Sequence, residues 1–343
     1  MAKAKKLGKL NISEMRNLIN KKAGMEVAHN LTQDNPTEVK DWIPTGSRWL
    51  DSIICRGKLA GVPVGKVVEI AGLEGSGKSY MAAQVAANAQ KRGIDVIYFD
   101  SESAIDPGFL ENAGCSLDNL LYVQAQSVEF VLETIEELLG SNDNRMLARI
   151  LAKGMSKLTV PIANSQSTFL VLNQLKTNIP QGPAGRIAAM INPYTTPGGK
   201  AMHYAYSLRI WLTGRKSKAS YISDDRGFRV GSEVKAKLKK SRFGTEGREC
   251  TFKIIWGGDV GIQDEESWLE AVKASDNIVQ KGAWYDLVYA DGTTEKFQAA
   301  KWLEKLKQEK FRNRIVHLMD EEIIMRFEKK EGSAEDFYNV DPE

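Results

Sequence analysis

The apolar run Val67-Val68-Glu69-Ile70-Ala71 passes directly into Gly72-Leu73-Glu74-Gly75-Ser76-Gly77-Lys78-Ser79, which is followed by a helix-period stretch from Tyr80 to Gln90. The octet fits GxxxxGK[ST], and a buried strand before it with a helix behind is the context that pattern requires of a phosphate-binding loop. The glycines let backbone N–H groups close around phosphates, and the helix points the positive end of its dipole at them. In such a loop Lys78 neutralises the β- and γ-phosphates and the Ser79 hydroxyl holds Mg²⁺. The pattern therefore fixes a strand, a tight turn and a helix in register and makes a nucleoside triphosphate the expected ligand.

Other segments repeat this alternation. Val96-Ile97-Tyr98-Phe99 reads as a buried strand that ends in the acidic turn Asp100-Ser101-Glu102, and residues 120–123 and 168–172 read as further core strands. Helical periodicity covers about 127–139 and 145–163, and strand-like runs return at 208–213 and 250–256. Strands alternating with helices predict an α/β fold with a doubly wound, mostly parallel sheet. Four divisions follow: a polar arm over 1–40, a nucleotide-binding core over 41–264, a small α+β domain over 265–330 and a polar tail over 331–343. Within the arm, Ile12, Met15, Leu18 and Ile19 share one helical face, which fits a surface helix packed on its own domain and a polymerisation arm equally well.

Composition excludes several classes. A hydrophobic fraction of 42% with 27% charged residues is that of a folded soluble protein. No apolar run reaches the roughly 20 residues of a membrane span, and the basic start MAKAKKLGKL lacks the apolar stretch of a secretory signal, so a cytoplasmic address is expected. Three cysteines and three histidines are scattered without metal-ligand spacing, which argues against disulfides and zinc. A net charge of +3 permits a nucleic-acid partner without requiring one.

Together these segments resemble a known family. Thr45-Gly46-Ser47 with Leu50-Asp51, Gly61-Val62-Pro63-Val64-Gly65, the phosphate loop, Phe99-Asp100-Ser101-Glu102 with Asp106-Pro107, and Asn173-Gln174 stand in order. Pro197-Gly198-Gly199-Lys200-Ala201, Val230-Gly231-Ser232-Glu233 and Gly282-Ala283-Trp284-Tyr285 complete the series. This series resembles the RecA-type strand-exchange recombinases and their phage relatives of the UvsX type, over roughly residues 40–310. The resemblance implies roles. Glu102 is the general base that orients the attacking water, and Asp106 and Phe109 lie near the adenine. Gln174 senses the γ-phosphate and couples it to DNA. The long loop over about 176–200 is then the DNA contact: Lys176, Arg186 and Lys200 meet phosphates, Ile187 and Met190 wedge between bases, and Gly198-Gly199 give the backbone close approach. Lys235, Lys237 and Lys239 would line up as a stripe on one strand face. Lys240 and Arg242 reach across a subunit interface to the neighbour's γ-phosphate. ATP and Mg²⁺, single- and double-stranded DNA, a helical homo-oligomer, and single-strand-binding and loader proteins are the implied ligands and partners, with no membrane.

One segment of the family is missing. Relatives carry a strand ending in an aspartate that supports Mg²⁺, the Walker B residue, and it should fall between Gly140 and Met146. Asp143 is the only acid there, no apolar run precedes it, and it is not assigned that role. Loss of an interior strand should leave two neighbouring strands without backbone partners, at about 1–3 kcal/mol per buried unpaired group. Three explanations compete: an internal piece of the natural chain is absent from this sequence, the sheet closes by re-pairing, or the ATPase is degenerate. The first is favoured. Function then reads as an ATP- and DNA-dependent recombinase that forms filaments on single-stranded DNA and promotes strand exchange. The alternatives are a ring-forming helicase motor built on the same core, and a filament protein that binds nucleotide without hydrolysing it.

Overall fold

The computed structural model describes residues 11–326 apart from 25, 33, 34, 36, 37, 104, 140–157, 179–181, 183–186, 188, 189, 191, 192, 215–219 and 257–260. In chain order its elements are α1 (Ile12–Ala23), β1 (Trp42–Ile43), α2 (Arg48–Ile54), β2 (Val62–Pro63), β3 (Val67–Gly72), α3 (Lys78–Gln90), β4 (Val96–Asp100), α4 (Pro107–Asn112), β5 (Leu120–Gln124) and α5 (Val128–Leu138). There follow β6 (Phe169–Gln174), β7 (Lys176–Thr177), β8 (Tyr194–Thr195), the helix Gly199–Ala205, β9 (Leu208–Thr213), β10 (Tyr221–Ser223), β11 (Arg229–Ser241), β12 (Glu249–Ile255) and β13 (Gly261–Gln263). A helix also covers 158–164, inside the span expected at 145–163; the rest of that span and Asp143 lie outside the described residues.

The main sheet has the order β13-β12-β11-β9-β3-β6, with β10 beside β11. It is parallel at its centre, where β3 lies between β6 and β9, and continues in antiparallel strands on the β11 side. All six residues of β3 are buried, as a continuous apolar run buried on both faces should be. Val68 and Ile70 face the largest core, which takes in Met81 and Val85 of α3, Leu50 and Ile54 of α2, and Leu208, Ile210 and Phe252. Val67 faces the other side with Leu132, Ile162, Met202 and Tyr206. No helix among the described residues is long and apolar enough to cross a membrane.

The sheet is interrupted where the sequence is short. β4 and β5 form a separate parallel pair, and β6 is hydrogen-bonded to β3 alone. Among the described residues β6 thus has an open edge, as do β4 and β5, and β6 is not paired with either. Phe169, Leu170, Val171 and Leu172 are only partly buried although their side chains match those of an interior strand. Ile97, Leu121, Tyr122, Val128 and Phe130, on β4, β5 and α5, are exposed large hydrophobic residues.

From Trp268 onward a second core forms. Three short helices, Trp268–Val272, Trp302–Leu306 and Glu309–Met319, pack on a meander of β14 (Ile278–Lys281), β15 (Trp284–Val288) and β16 (Thr294–Gln298), around Phe297, Phe311 and Leu318. Gly282, at φ +63°, makes the two-residue turn between β14 and β15, which accounts for a glycine at the start of the Gly-Ala-Trp-Tyr segment. Trp49 of α2 touches both cores.

A buried acidic pair sits where these cores meet. Asp264 accepts hydrogen bonds from Ser47 Oγ at 2.5 Å, Arg48 N at 2.7 Å and Trp268 Nε1 at 2.6 Å. Asp51 accepts from Thr45 N at 3.1 Å and Thr45 Oγ1 at 2.7 Å. Burial pushes the Asp51 carboxyl up to about 7, against the pull of the Thr45 hydrogen bonds and with help from the charge of Asp264. The folded protein therefore holds this proton more tightly than the unfolded chain, whose carboxyl titrates near 3.8. The stability it contributes is complete below that value and is lost as pH rises to about 7. Asp51→Asn keeps an oxygen for both Thr45 donors and removes the titration. Relative to the wild type, its melting temperature should be higher at pH 8 than at pH 4.5 by several degrees, on the order of 3 kcal/mol; no change in the difference between the two pH values would refute this.

Candidate functional site

Residues 73–77 turn the chain from the C-terminal end of β3 into α3. Gly77 stands at the N-cap of α3 with φ +85°, and no side chain caps the helix, so its first N–H groups are open to a ligand. A Cβ on Gly77 would come within 2.4 Å of Ile254 Cδ1, and one on Gly72 within 2.2 Å of Ser76 Oγ. The glycines thus hold a loop whose backbone is bare. Ser76 Oγ is buried in it without a hydrogen-bond partner. Ser79 is exposed at the first turn of α3. Lys78 reaches back over the loop, and its Nζ donates to Leu73 O at 3.0 Å. Burial lowers its pKa, while the carboxylates of Glu102 and Glu74 raise it. An uncapped helix start, an unpartnered hydroxyl and a half-buried ammonium form a cradle of the right chemistry for a polyphosphate.

Glu102 faces this cradle on an exposed turn that the sequence reading did not explain. Asp100, buried at the end of β4, organises the turn: Oδ1 accepts from Glu102 N at 2.9 Å and Ser103 N at 3.0 Å. Its Oδ2 accepts from Ile105 N at 3.2 Å and Tyr122 Oη at 3.0 Å. An aspartate that ends a strand and is followed by Ser-Glu is a turn signal, and it was legible. Asp106 is the N-cap of α4, with Oδ2 accepting from Phe109 N at 3.1 Å. Phe109 packs edge-on to Tyr80 of α3, with ring centroids 6.1 Å apart.

The parallel register brings Gln174 to the loop. Gly72 is opposite Gln174 on one side and Leu212 on the other, and Leu175 N donates to Gly72 O at 3.0 Å. Gln174 is exposed there, at the mouth of the phosphate loop. The segment after it begins and ends in a two-stranded ladder in which Lys176 pairs with Thr195 and Thr177 with Tyr194. Ile187 and Met190 are 64% and 83% exposed, which leaves both side chains open to a partner. Gly198 has φ +104° and opens the helix Gly199–Ala205. Arg186 lies outside the described residues, as does the side chain of Lys200.

The basic strand is β11. Lys235 and Lys237 are exposed on one face of β11 and meet Glu249 of β12, at 2.5 and 3.9 Å. A bulge between Leu238 and Lys240 then breaks the alternation. Lys239 Nζ lies 4.9 Å from the centroid of the ring of Trp211, the residue opposite Lys237 on β9. The bulge restores pairing at Lys240–Arg209 and Ser241–Leu208, which are opposite the start of β3. Lys240 Nζ donates to His203 O, and Arg242 Nη2 to Tyr204 O at 2.8 Å. The charge of Arg242 also reaches Lys66, the residue before β3, whose pKa is lowered by burial first and then by that neighbour. Lys240 is therefore level with Glu69, and Arg242 follows at the start of β3, about 10–17 Å from Gly72 along the strand direction. Within one subunit they do not meet the phosphate loop.

Comparison with known proteins gives a consistent match. A family model described as the RecA N-terminal domain matches residues 10–147 and 139–262. Two proteins named Protein RecA, from Ruminococcus albus and Fusobacterium nucleatum, are 31% identical over 270 residues and 32% identical over 271 residues. Each match covers 71% of this chain, and it spans 63% of the first protein and 67% of the second. A third Protein RecA, from Ectopseudomonas oleovorans, is 27% identical over 354 residues, covering 93% of this chain and 96% of that protein. That alignment is longer than the 343-residue chain, so the relative contains residues without a counterpart here. The family match is also in two parts, which overlap at 139–147.

Proposed function

The chain belongs to the RecA family, and from that premise we propose that it is an ATP- and DNA-dependent recombinase that assembles on single-stranded DNA and promotes homologous pairing. The observation that carries this reading is the placement of Gln174 beside Gly72, which joins an open phosphate cradle to the base of a long loop with exposed apolar residues. The residues present fit a nucleoside triphosphate: the N–H groups of 75–79 and Ser76 Oγ face its phosphates, and Lys78 neutralises them. Mg²⁺, when held by the Ser79 hydroxyl, shields the phosphate charge and favours departure of the diphosphate. Glu102, fixed by the Asp100 turn, orients a water for attack on the γ-phosphate, and Gln174 reports the γ-phosphate to the loop. Asp106 and Phe109 flank the base. Lys176, Arg186 and Lys200 contact DNA phosphates, with Ile187 and Met190 between bases and Gly198-Gly199 at the backbone.

Assembly completes the site. Lys240 and Arg242, which do not meet the cradle of their own subunit, act on the phosphate of a neighbour. The face of α1 supports a docking role for the arm 1–40, since Ile12, Met15, Leu18 and Ile19 are all exposed. The core over 41–264 carries nucleotide and DNA, and the domain over 265–330 rides on it. We place it on the phage branch of the UvsX type, working in a bacterial or phage-infected cytoplasm. One observation favours a second reading: with open edges at β6 and β4, this chain binds nucleotide and DNA but hydrolyses slowly. ATP turnover measured with and without single-stranded DNA tests both. Stimulation of 10-fold or more is expected for the recombinase, and turnover that ignores DNA at saturating nucleotide would contradict it.

A further inference from the structure

A second feature of β3 plays no part in binding phosphate. Glu69, three residues before Gly72, is fully buried on the face of β3 turned away from α3. Opposite it on β9 is Arg209, also buried, and Arg209 Nε meets Glu69 Oε2 at 2.6 Å. The guanidinium lies between the rings of Tyr206 and Trp211, 5.5 and 5.7 Å from their centroids. A buried ion pair is a weak source of stability, because desolvation of both groups offsets their attraction and an apolar pair of the same volume often does as well. What distinguishes this pair is where its remaining hydrogen bonds go. Arg209 Nη2 donates to Thr196 Oγ1 at 2.8 Å. Asn173 Nδ2 donates to Glu69 Oε1 at 3.1 Å and to Pro197 O at 3.2 Å, while Asn173 Oδ1 accepts from Gln174 N at 2.9 Å. Thr196 is itself buried. Both roots of the segment 175–197 are therefore tied to one carboxylate: the leading root through Asn173, and the trailing root through Asn173 and through Arg209 with Thr196.

We infer that Glu69 and Arg209, acting through Asn173 and Thr196, are positioning residues that fix both roots of the long loop to the strand carrying the phosphate loop, so that nucleotide binding is felt at the ladder of β7 and β8. The inference rests on reading Gly72–Ser79 as a nucleotide site. It adds a route separate from Gln174, which stands opposite Gly72 in the sheet. The span is short, since three residues of extended strand cover only about 10 Å, and its links through Glu69, Arg209 and Thr196 are hydrogen bonds between buried groups, where such bonds are directional and strong.

The test is hydrogen exchange on the full chain, with and without the non-hydrolysable analogue AMP-PNP and Mg²⁺, read at the amides of β7 and β8, beside calorimetric titration of the same nucleotide. Thr196→Val keeps the side-chain shape and removes the acceptor for Arg209; Thr196→Ser keeps the acceptor. Nucleotide should slow exchange at β7 and β8 about 5-fold or more in the wild type and in Thr196→Ser. In Thr196→Val the slowing should vanish while the nucleotide Kd stays within about 2-fold. Arg209→Lys, which keeps a charge for Glu69 but lacks the forked donors, should behave like Thr196→Val and serves if the latter does not fold. Undiminished slowing in Thr196→Val and Arg209→Lys overturns the inference, as does wild-type protein that binds AMP-PNP without any change at β7 and β8. Absence of nucleotide binding in the titration removes the nucleotide site itself, and the positioning role falls with it.

Discussion

Lys78→Ala should lower kcat/KM for ATP by about 10²–10³, the usual loss when one preorganised charge contact to a developing anion is removed. Little else should change. The Lys78 ammonium has a single hydrogen bond, to the carbonyl of Leu73, and it is half-buried rather than a core group. Its removal leaves Met81 and Val85, which anchor α3 to the core, in place. The melting temperature is therefore expected to stay within about 2 °C of the wild type, the range of substitutions that disturb no core contact. Titration with ATP in millimolar Mg²⁺ should show weaker binding, and DNA-stimulated turnover should fall to background. Equal turnover in the two proteins would mean that Gly72–Ser79 is not the active site.

The second large effect concerns the interrupted sheet. Insertion, between Gly140 and Met146, of a designed apolar β-strand ending in an aspartate should raise the melting temperature by about 10 °C and increase ATP turnover at least 10-fold. The added strand would pair with β6 on one side and β4 on the other, merge the two sheets, and cover Phe169, Val171, Ile97 and Leu121. Each such side chain contributes about 1 kcal/mol or more when it passes from half-exposed to buried, and a domain of this size gains about 2–4 °C per kcal/mol. Differential scanning calorimetry of the two chains decides the matter. An inserted chain that melts no higher would show that the open edges of β6 and β4 do not seat a strand.

The sequence was most informative where one physical demand dominates. A continuous apolar run announces a strand buried on both faces, and β3, β6 and β9 appear where such runs stand. The phosphate loop was legible because glycine spacing encodes a backbone shape without reference to distant residues. Other features depend on partners far away in the chain. Glu69 looks like an interruption in an apolar run until Arg209, 140 positions later, is placed opposite it. Asn173 gives no hint in sequence that its amide will join Glu69 to Pro197. The bulge between Leu238 and Lys240 is set by pairing with β9, and no local pattern announces it. Asp106 shows that one residue can satisfy a local rule and a proposed role together: its carboxylate caps α4, and the proposed contact with the base adds a second demand on the same group.

The separation of Gly72–Ser79 from Lys240 and Arg242 along β3 has a consequence for counting. Two separate surfaces on one body, each complementary to the other and not to itself, associate head-to-tail, and unless the rotation closes, the series is open. In an open series the subunit at one end presents cations to no neighbour, and the one at the other end has a cradle that receives none. A pair of subunits then has one finished site for two cradles, while a long series has nearly one per subunit. Turnover per subunit should therefore climb with oligomer length toward a plateau, and a small amount of a subunit unable to extend should suppress it out of proportion to its share.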